Sequence, residues 1–471
     1  MGILDKARKV LGISSVRVGA LNEAAMTRPR SPTKSTSSDL SLASIMIPPA
    51  YEQAQALIEA ECPLIFVSGN AGTGKTTLIR HLLRKLNCRS VVLAPTGVAA
   101  LNAGGSTVHS FFRFPPKIQD AADIQPPTDR ALYQKLQLLI LDEVSMLRCD
   151  LMDAIDVFLR KARRNQAPFG GVQLLLVGDL FQLPPVVPLA EREVLEARGY
   201  ASPYFFSANS LQDMALCHVE LDQVHRQTDA NFVSLLNRLR VAEDTEEVVT
   251  EINRHCYGMA VSEHQIILTA TNKVADHINE LALVHLSSPE HLFTGTVEGT
   301  FRIGRDRLPS PADLRLKVGS QVMFTKNDDQ QRWVNGSLGV VRGFSEGAVQ
   351  VQMTGGSTDA VCDVVPASWE TYEYRFDSAE KRIISQKIGE YRQYPLMLAW
   401  AVTIHKSQGK TLDRILVDLG SGAFATGQAY VALSRVRSLD SVRLARPLRV
   451  TDVRCDPAII RFYQGLRETK L

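Results

Sequence analysis

The segment GNAGTGKT, Gly69 to Thr76, places Gly69, Gly72 and Gly74 just ahead of a lysine and a threonine. Glycine at those positions lets backbone N–H groups converge on phosphate oxygens without Cβ clashes, and a helix starting there adds positive potential. Lys75 is then placed to neutralise the β- and γ-phosphates of ATP, and the Thr76 hydroxyl to hold Mg2+, with Ala71, Thr73 and Thr77 completing the cradle. Further on, LLILDEVSM ends an apolar run with Asp142 and Glu143. Asp142 suits magnesium held through water, and Glu143 suits a general base that orients the hydrolytic water. In VGDLFQLPPV, Gln182 follows another apolar run. A side-chain amide there can bond a γ-phosphate before hydrolysis and lose that bond afterwards, so it can report nucleotide state.

A phosphate loop needs a strand before it and a helix after it. LIFV supplies the first, and Leu78, Ile79, Leu82, Leu83 and Leu86 recur at helical spacing in TTLIRHLLRKL. SVVLA, LQLLIL and VQLLLV have the length and continuity of strands covered on both faces, as in a parallel sheet flanked by helices. A second α/β segment starts near Gln223, with strands expected at QIILTA and DRILVDL. Between them, Val297 to Lys387 is rich in glycine and β-branched residues, which predicts a small inserted β-barrel. The expected organisation is a disordered basic tail (1–45), a first α/β lobe (46–222), a second (223–296 and 388–471) and the β insert (297–387).

Composition narrows the class without naming it. The 471 residues are 45% hydrophobic and 22% charged, ordinary for a globular protein of more than one domain. No run reaches the roughly 18 to 20 apolar residues of a membrane-spanning helix, so no membrane partner is expected. The 53 Lys+Arg against 50 Asp+Glu leave a net charge of +3, and any nucleic-acid site must be a local patch. Seven cysteines, with no CxxC pair and no framework spacing, argue for a reducing compartment and against structural zinc. The first 45 residues, which include TRPRSPTKSTSS, carry no secretory core; a mitochondrial transit peptide stays open there, with Asp5 and Glu23 interrupting its acid-poor pattern.

The order of the motifs goes beyond a generic ATPase. APTGVAALNAGGSTVHSFF, LDEVSML, the stretch Asp153 to Arg163 before PFGG, LDQVHRQTDANFVSLLNRLR, LKVGSQVMFTKND, WVNGSLGVV, LAWAVTIHKSQGKTLD and GQAYVALSRVRS run collinearly from Gln53 to Ser438. This set resembles the Pif (petite integration frequency) family of superfamily 1B DNA helicases. The resemblance implies two RecA-like domains with an SH3-like β-barrel inserted in the second, and ATP-driven 5′ to 3′ movement on single-stranded DNA that unwinds duplex at forks. It implies Arg226 and Arg435 as fingers on the transferring phosphoryl, where planar guanidinium forks meet two oxygens at once. Gln408 and Gly409 would face the nucleotide, and Gln53 would read adenine. Thr96, Gly97, His109 and Phe111 from the first lobe, with Thr403, His405 and Lys406 from the second, would line the strand groove. Hydroxyl and amide contacts to phosphate, and an aromatic ring under a base, are independent of sequence.

The same resemblance makes G-quadruplexes and RNA–DNA hybrids further candidate substrates in replication, repair, recombination or telomere maintenance, with a monomer acting on DNA. It places the protein at the bacterial nucleoid, or in the mitochondrial matrix or nucleus of a eukaryote. Two other readings stay open: a RecD-like helicase subunit of a nuclease complex, and a DNA-binding protein switched by ATP without unwinding. The Pro-rich stretch at about 112–131 stands where family members carry a strand-separating element, and its wedge residues are not assignable from sequence.

Overall fold

The computed structural model describes residues 48–468 except 116, 228, 260–264, 302–303, 305–307 and 355–360. The basic tail, 1–45, lies outside the described residues. The apolar runs form β1 (Leu64–Gly69), β2 (Ser90–Ala94), β3 (Ser106–Thr107), β4 (Leu138–Leu141), β5 (Gln173–Gly178) and β6 (Leu216–Leu221). They make one all-parallel sheet in the order β3-β2-β4-β5-β1-β6. Every residue of β1 and β4 is buried, as expected for strands with helices on both faces. The helix Lys75–Lys85 packs Leu78, Ile79 and Leu82 onto this sheet, while Leu83 stays exposed. Because β4, β5 and β1 are neighbours, the acidic pair, the Gln182 loop and the glycine loop all leave the same sheet edge side by side.

The helix Cys149–Arg163 shows why its polar positions matter. Asp156 accepts the Phe169 N–H at 2.6 Å and pairs with Arg160; Asp153 accepts the Asn209 and Ser210 N–H groups and the Tyr200 hydroxyl. Arg163 donates to the carbonyls of Tyr133, Leu136 and Gly170. These side chains satisfy loop backbone that would otherwise be buried unpaired, and so fix the turns into β4 and β5.

In the second lobe Ile266–Thr269 lies between Ala401–Thr403 and Ile415–Asp418 in a four-stranded parallel sheet, with Val442–Leu444 at its edge. The intervening β unit is wider than the expected 297–387. His291–Thr294 already pairs antiparallel with Asp313–Leu316, and Leu396–Leu398 still pairs with Gln321–Phe324. A strand at a junction belongs to whichever sheet offers it a partner, and run length does not reveal the partner. The core of this unit gathers Phe324, Trp333, Val341 and Leu396.

Two segments cross back to the first lobe. The hairpin Ala367–Asp377/Arg382–Gln393 sets Tyr374 against Phe111, and the Tyr374 hydroxyl donates to the Val92 carbonyl at 3.4 Å. The C-terminal helix Pro457–Glu468 buries Ile459 in the first-lobe core and stacks Phe462 on Phe206 at 4.4 Å. Cys62 and Cys217 form a disulfide across 155 residues. The sequence reading missed this pairing, because β1 and β6 become neighbours only in the sheet; cysteine spacing therefore does not support the inferred reducing compartment. The Pro-rich stretch before Ala131 forms no strand among its described residues. It is held by the Gln119 N–H on Asp150 and by Arg198 on the Gln119 carbonyl.

Phe111, expected to stack under a base, belongs to the core. It is 7% exposed and meets Phe112, Tyr133 and Tyr374 edge to face. A short helix, Val108–Phe112, turns this position inward once His109 faces outward enough to stay half-buried. Truncation should therefore act on stability: Phe111→Ala is expected to cost about 3–5 kcal/mol in urea denaturation. A loss below about 1 kcal/mol would mean that the ring is not core.

Candidate nucleotide site and strand groove

The glycine loop is shaped by contacts that exclude side chains. Gly72 and Gly74 hold φ of +84° and +87°, and a Cβ on Gly72 would fall 2.6 Å from Cβ of Arg226. Tyr51 donates its hydroxyl to the Gly74 carbonyl at 2.8 Å, and Thr73 donates to that of Asn70 at 3.0 Å. Lys75 Nζ lies inside the loop, donating to the carbonyls of Gly69 and Asn70 at 2.8 Å each. Burial lowers its pKa, and Asp179, Glu143 and Asp142 oppose that shift. Ala71 is buried, Thr76 half-buried and Thr77 exposed; Gln53 is exposed on the helix Pro49–Glu59.

Asp142 is 5% exposed and accepts the Glu143 N–H at 2.9 Å. Burial, and then the Glu143 carboxylate, push it up to about 7. Glu143 has φ 51° and ψ 44°, a left-handed conformation that costs a non-glycine residue about 1–3 kcal/mol. Its carboxylate meets Gln408 Nε2 at 3.3 Å, and the same amide meets Gln182 Oε1 at 3.2 Å. Magnesium fits this donor set. Thr76 and Asp142 offer hard oxygens, and among the described residues no cluster of three or more His, Cys, Asp or Glu forms a metal cage of its own. That suits an ion which takes its other ligands from phosphate and water.

From the other side come Arg226 and Arg435. Arg226 Nη1 donates to the Ser434 carbonyl at 3.0 Å, and burial lowers its pKa. Arg435 is 1% exposed; Nε, Nη1 and Nη2 donate to the Val431 carbonyl, the Ser407 carbonyl and Ser434 Oγ. Burial and then the charge of Arg226 bring it down to about 9. Each of these Arg435 bonds stays within its own lobe, although Glu143 and Asp179 are near enough to act on its charge. Gly409, at φ +78°, is exposed beside Gln408.

The strand-groove residues divide. Thr96 caps the helix Gly97–Ala103, accepting the Ala99 N–H at 3.2 Å, and Gly97 is half-buried. Gly97 and the neighbouring Thr107 and Ser110 line a small half-open pocket of about 30 Å³ whose far wall is Glu370 and Tyr372 of the hairpin. Lys406 is exposed, and His405 stacks on the exposed Phe424 with centroids 6.4 Å apart. Thr403 does not present a free hydroxyl to a strand. It is 3% exposed and caps the helix Ile404–Ser407 by accepting the Lys406 N–H. Like Phe111, it supports the groove from below.

Sequence reasoning passed over Tyr51, Asp179, Arg240 and Tyr430. Asp179 is fully buried, and Arg240, followed by Lys75, holds it below the usual carboxylate range against the opposing effect of burial. The available signal was position alone: Arg240 and Tyr430 stand inside the collinear segments, and Asp179 in VGDLFQLPPV beside Gln182.

The two parallel sheets, with the glycine loop leaving the first of them and Gln408 reaching across from the second, define a two-lobed α/β protein with a phosphate-binding type of loop. Residues 49–249 match the model of a family described as PIF1-like helicase. The ATP-dependent DNA helicase Pif1 of Bdellovibrio bacteriovorus is 32% identical over 410 residues, 85% of this chain and 88% of that protein. The ATP-dependent DNA helicase PIF1 of Rattus norvegicus is 36% identical over 86% of this chain; the chain spans 62% of that relative's length. The solved structure of Bacteroides sp Pif1 in complex with ADP-AlF4 superposes with a TM-score of 0.80 at 32% identity, covering 89% of this chain and 97% of that one. Bacteroides Pif1 bound to ssDNA superposes at 0.65 with the same identity and coverage. The chain belongs to the PIF1-like helicase family.

The state of Asp142 gives a test by stability. A carboxyl whose folded pKa is raised binds its proton more tightly in the native state, so folding loses free energy as pH rises from 3.8 to about 7. Asp142→Asn removes that loss. In EDTA at pH 8 the variant should be more stable than wild type, by at most roughly 4 kcal/mol, and at pH 4 the two should nearly coincide. Equal stability at both pH values would refute the shift.

Proposed function

We propose that this protein is an ATP-dependent DNA helicase that moves 5′ to 3′ along a single strand and unwinds duplex. The observation that carries the reading is the cleft. Lys75, Glu143 and Gln182 line it from the first lobe, and Gln408, with Arg226 and Arg435 close by, lines it from the second. Gln408 already bonds Glu143 and Gln182 across it. The relatives' names, and the single strand in one Bacteroides complex, support DNA as the track.

Lys75 turns from the loop carbonyls to the phosphates. Glu143 takes the proton of the attacking water, and Gln182 and Gln408 hold that water and the γ-phosphate in place. Thr76 and Asp142 would hold magnesium, which would supply electrostatic stabilisation of phosphate charge. Arg226 and Arg435 stabilise charge that grows in the transition state, so binding and hydrolysis close and release the lobes. Thr96, Gly97 and His109 grip the strand from one lobe and His405 and Lys406 from the other. Alternating grip converts closure into movement. Forked DNA is the expected working substrate, and quadruplexes and RNA–DNA hybrids extend it.

ATP turnover should rise strongly with single-stranded DNA, and a 5′-tailed duplex should open while a 3′-tailed one does not. Opening of the 3′-tailed duplex alone would reverse the polarity, and tight DNA binding without strand separation would favour an ATP switch. Lys75→Ala should abolish hydrolysis and keep single-strand binding. Arg435→Ala should lower kcat by about 10³-fold or more while KM changes by about threefold or less. A matched loss in KM alone would assign Arg435 to ground-state binding.

A further inference from the structure

Asp179 is the meeting point of both lobes behind the γ-phosphate side of the cleft. It lies just past β5, is fully buried, and accepts from three side chains. Arg240 Nε and Nη2 donate to Oδ1 at 3.1 and 2.9 Å. Gln182 Nε2 and the Tyr430 hydroxyl donate to Oδ2 at 3.2 and 3.1 Å. The Tyr430 oxygen in turn accepts the Ala71 N–H of the glycine loop at 3.1 Å. One carboxylate thus bonds the residue expected to sense the γ-phosphate and, through Tyr430, reaches the loop that cradles it.

Both remaining anchors belong to the second lobe. Arg240 ends the helix Ala230–Val241, whose Asn237 also accepts from Asn70 of the glycine loop at 2.7 Å. Its guanidinium lies 4.3 Å from the Phe181 ring centroid, which stacks on Tyr463 of the C-terminal helix at 5.2 Å. Tyr430 lies on the helix Gln428–Leu433, which leads directly into Arg435. A desolvated ion pair is costly to separate, because either partner alone is left as an uncompensated buried charge. Asp179 and the Arg240 helix therefore move together. A shift of Gln182 or of the Ala71 amide is passed to the two second-lobe helices rather than lost locally.

We propose that Arg240 and Tyr430 are positioning residues which, through Asp179, couple occupancy of the nucleotide site to the second lobe and so to its hold on DNA. This rests on the helicase reading above. It adds a route by which the two sites feel each other, beside the direct contact of the arginine fingers with phosphate.

The test measures that coupling directly. The dissociation constant of a fluorescein-labelled oligo-dT is determined for the full chain with and without ADP plus aluminium fluoride, alongside ATP turnover with and without the unlabelled strand. Wild type should show a shift in strand affinity within the usual range of allosteric coupling, about 5- to 150-fold. Tyr430→Phe keeps the ring and removes one hydroxyl, and it should bring that shift to within about twofold of unity, with the melting temperature little changed. Arg240→Lys, which keeps the charge and loses the fork, should retain part of it. The double variant Arg240→Met/Asp179→Asn removes the uncompensated charge, so it should recover the melting temperature lost by Arg240→Met alone and still lack the coupling. If Tyr430→Phe and the double variant keep the wild-type shift, the cluster is only a structural staple and the proposal falls. If the wild-type chain shows no turnover stimulated by the strand, the helicase reading falls instead, and this inference with it.

Discussion

Asp142, Asp179 and Arg435, in the cleft between the two lobes, are cut off from water, and each must be answered by another charge or by aimed hydrogen bonds. The desolvation cost of a carboxylate or an ammonium in such surroundings is several kcal/mol, well above what one neutral hydrogen bond returns. Asp179 meets the requirement with Arg240 and stays ionised. Asp142 has only Glu143, another acid, beside it and the more distant Lys75, so its proton is held up to about 7. The contrast separates a carboxylate already satisfied by protein from one suited to an added cation. It also separates two buried acids at neighbouring strand ends: one is fixed by Arg240, and the other would, on the proposed function, supply an oxygen to magnesium.

That division depends on the sheet. Only adjacent parallel strands can deliver the glycine loop, the acidic pair and the Gln182 loop to one edge. The left-handed backbone at Glu143 is tolerated because the strand before it and the short turn after it over-determine its position. The C-terminal helix and the long hairpin then bring second-lobe and insert residues onto the first lobe. Besides the cleft, contacts such as Tyr374 on Val92 and Phe462 on Phe206 thereby join these parts to the first lobe.

Much of this was legible in the sequence, for a definable reason. Strand continuity, the glycine spacing around Lys75 and the helical period of Leu78, Ile79 and Leu82 are local signals, and the chain obeys them. What escaped was set by partners far away in sequence. Phe111 and Thr403 have residue types suited to a DNA contact, and solitary side chains of those types give no hint of which face a five- or four-residue helix will bury. The edges of the β insert followed cross-strand pairing, and Cys62 found Cys217 only through the neighbouring β1 and β6. Arg240 drew no reading from the sequence, and only the fold shows it against Asp179.

The two cleft arginines carry the reasoning one step further. Arg435 is lowered to about 9 by burial and then by the like charge of Arg226, so their closeness is unfavourable when judged by the arginines alone. Glu143 and Asp179 offset only part of it. A polyanion entering between them would relieve the repulsion of both guanidiniums at once, whereas either arginine alone would gain only its own pairing. On the proposed function, a triphosphate would relieve both guanidiniums together, and loss of its γ-phosphate would return part of their repulsion in the direction that parts the lobes.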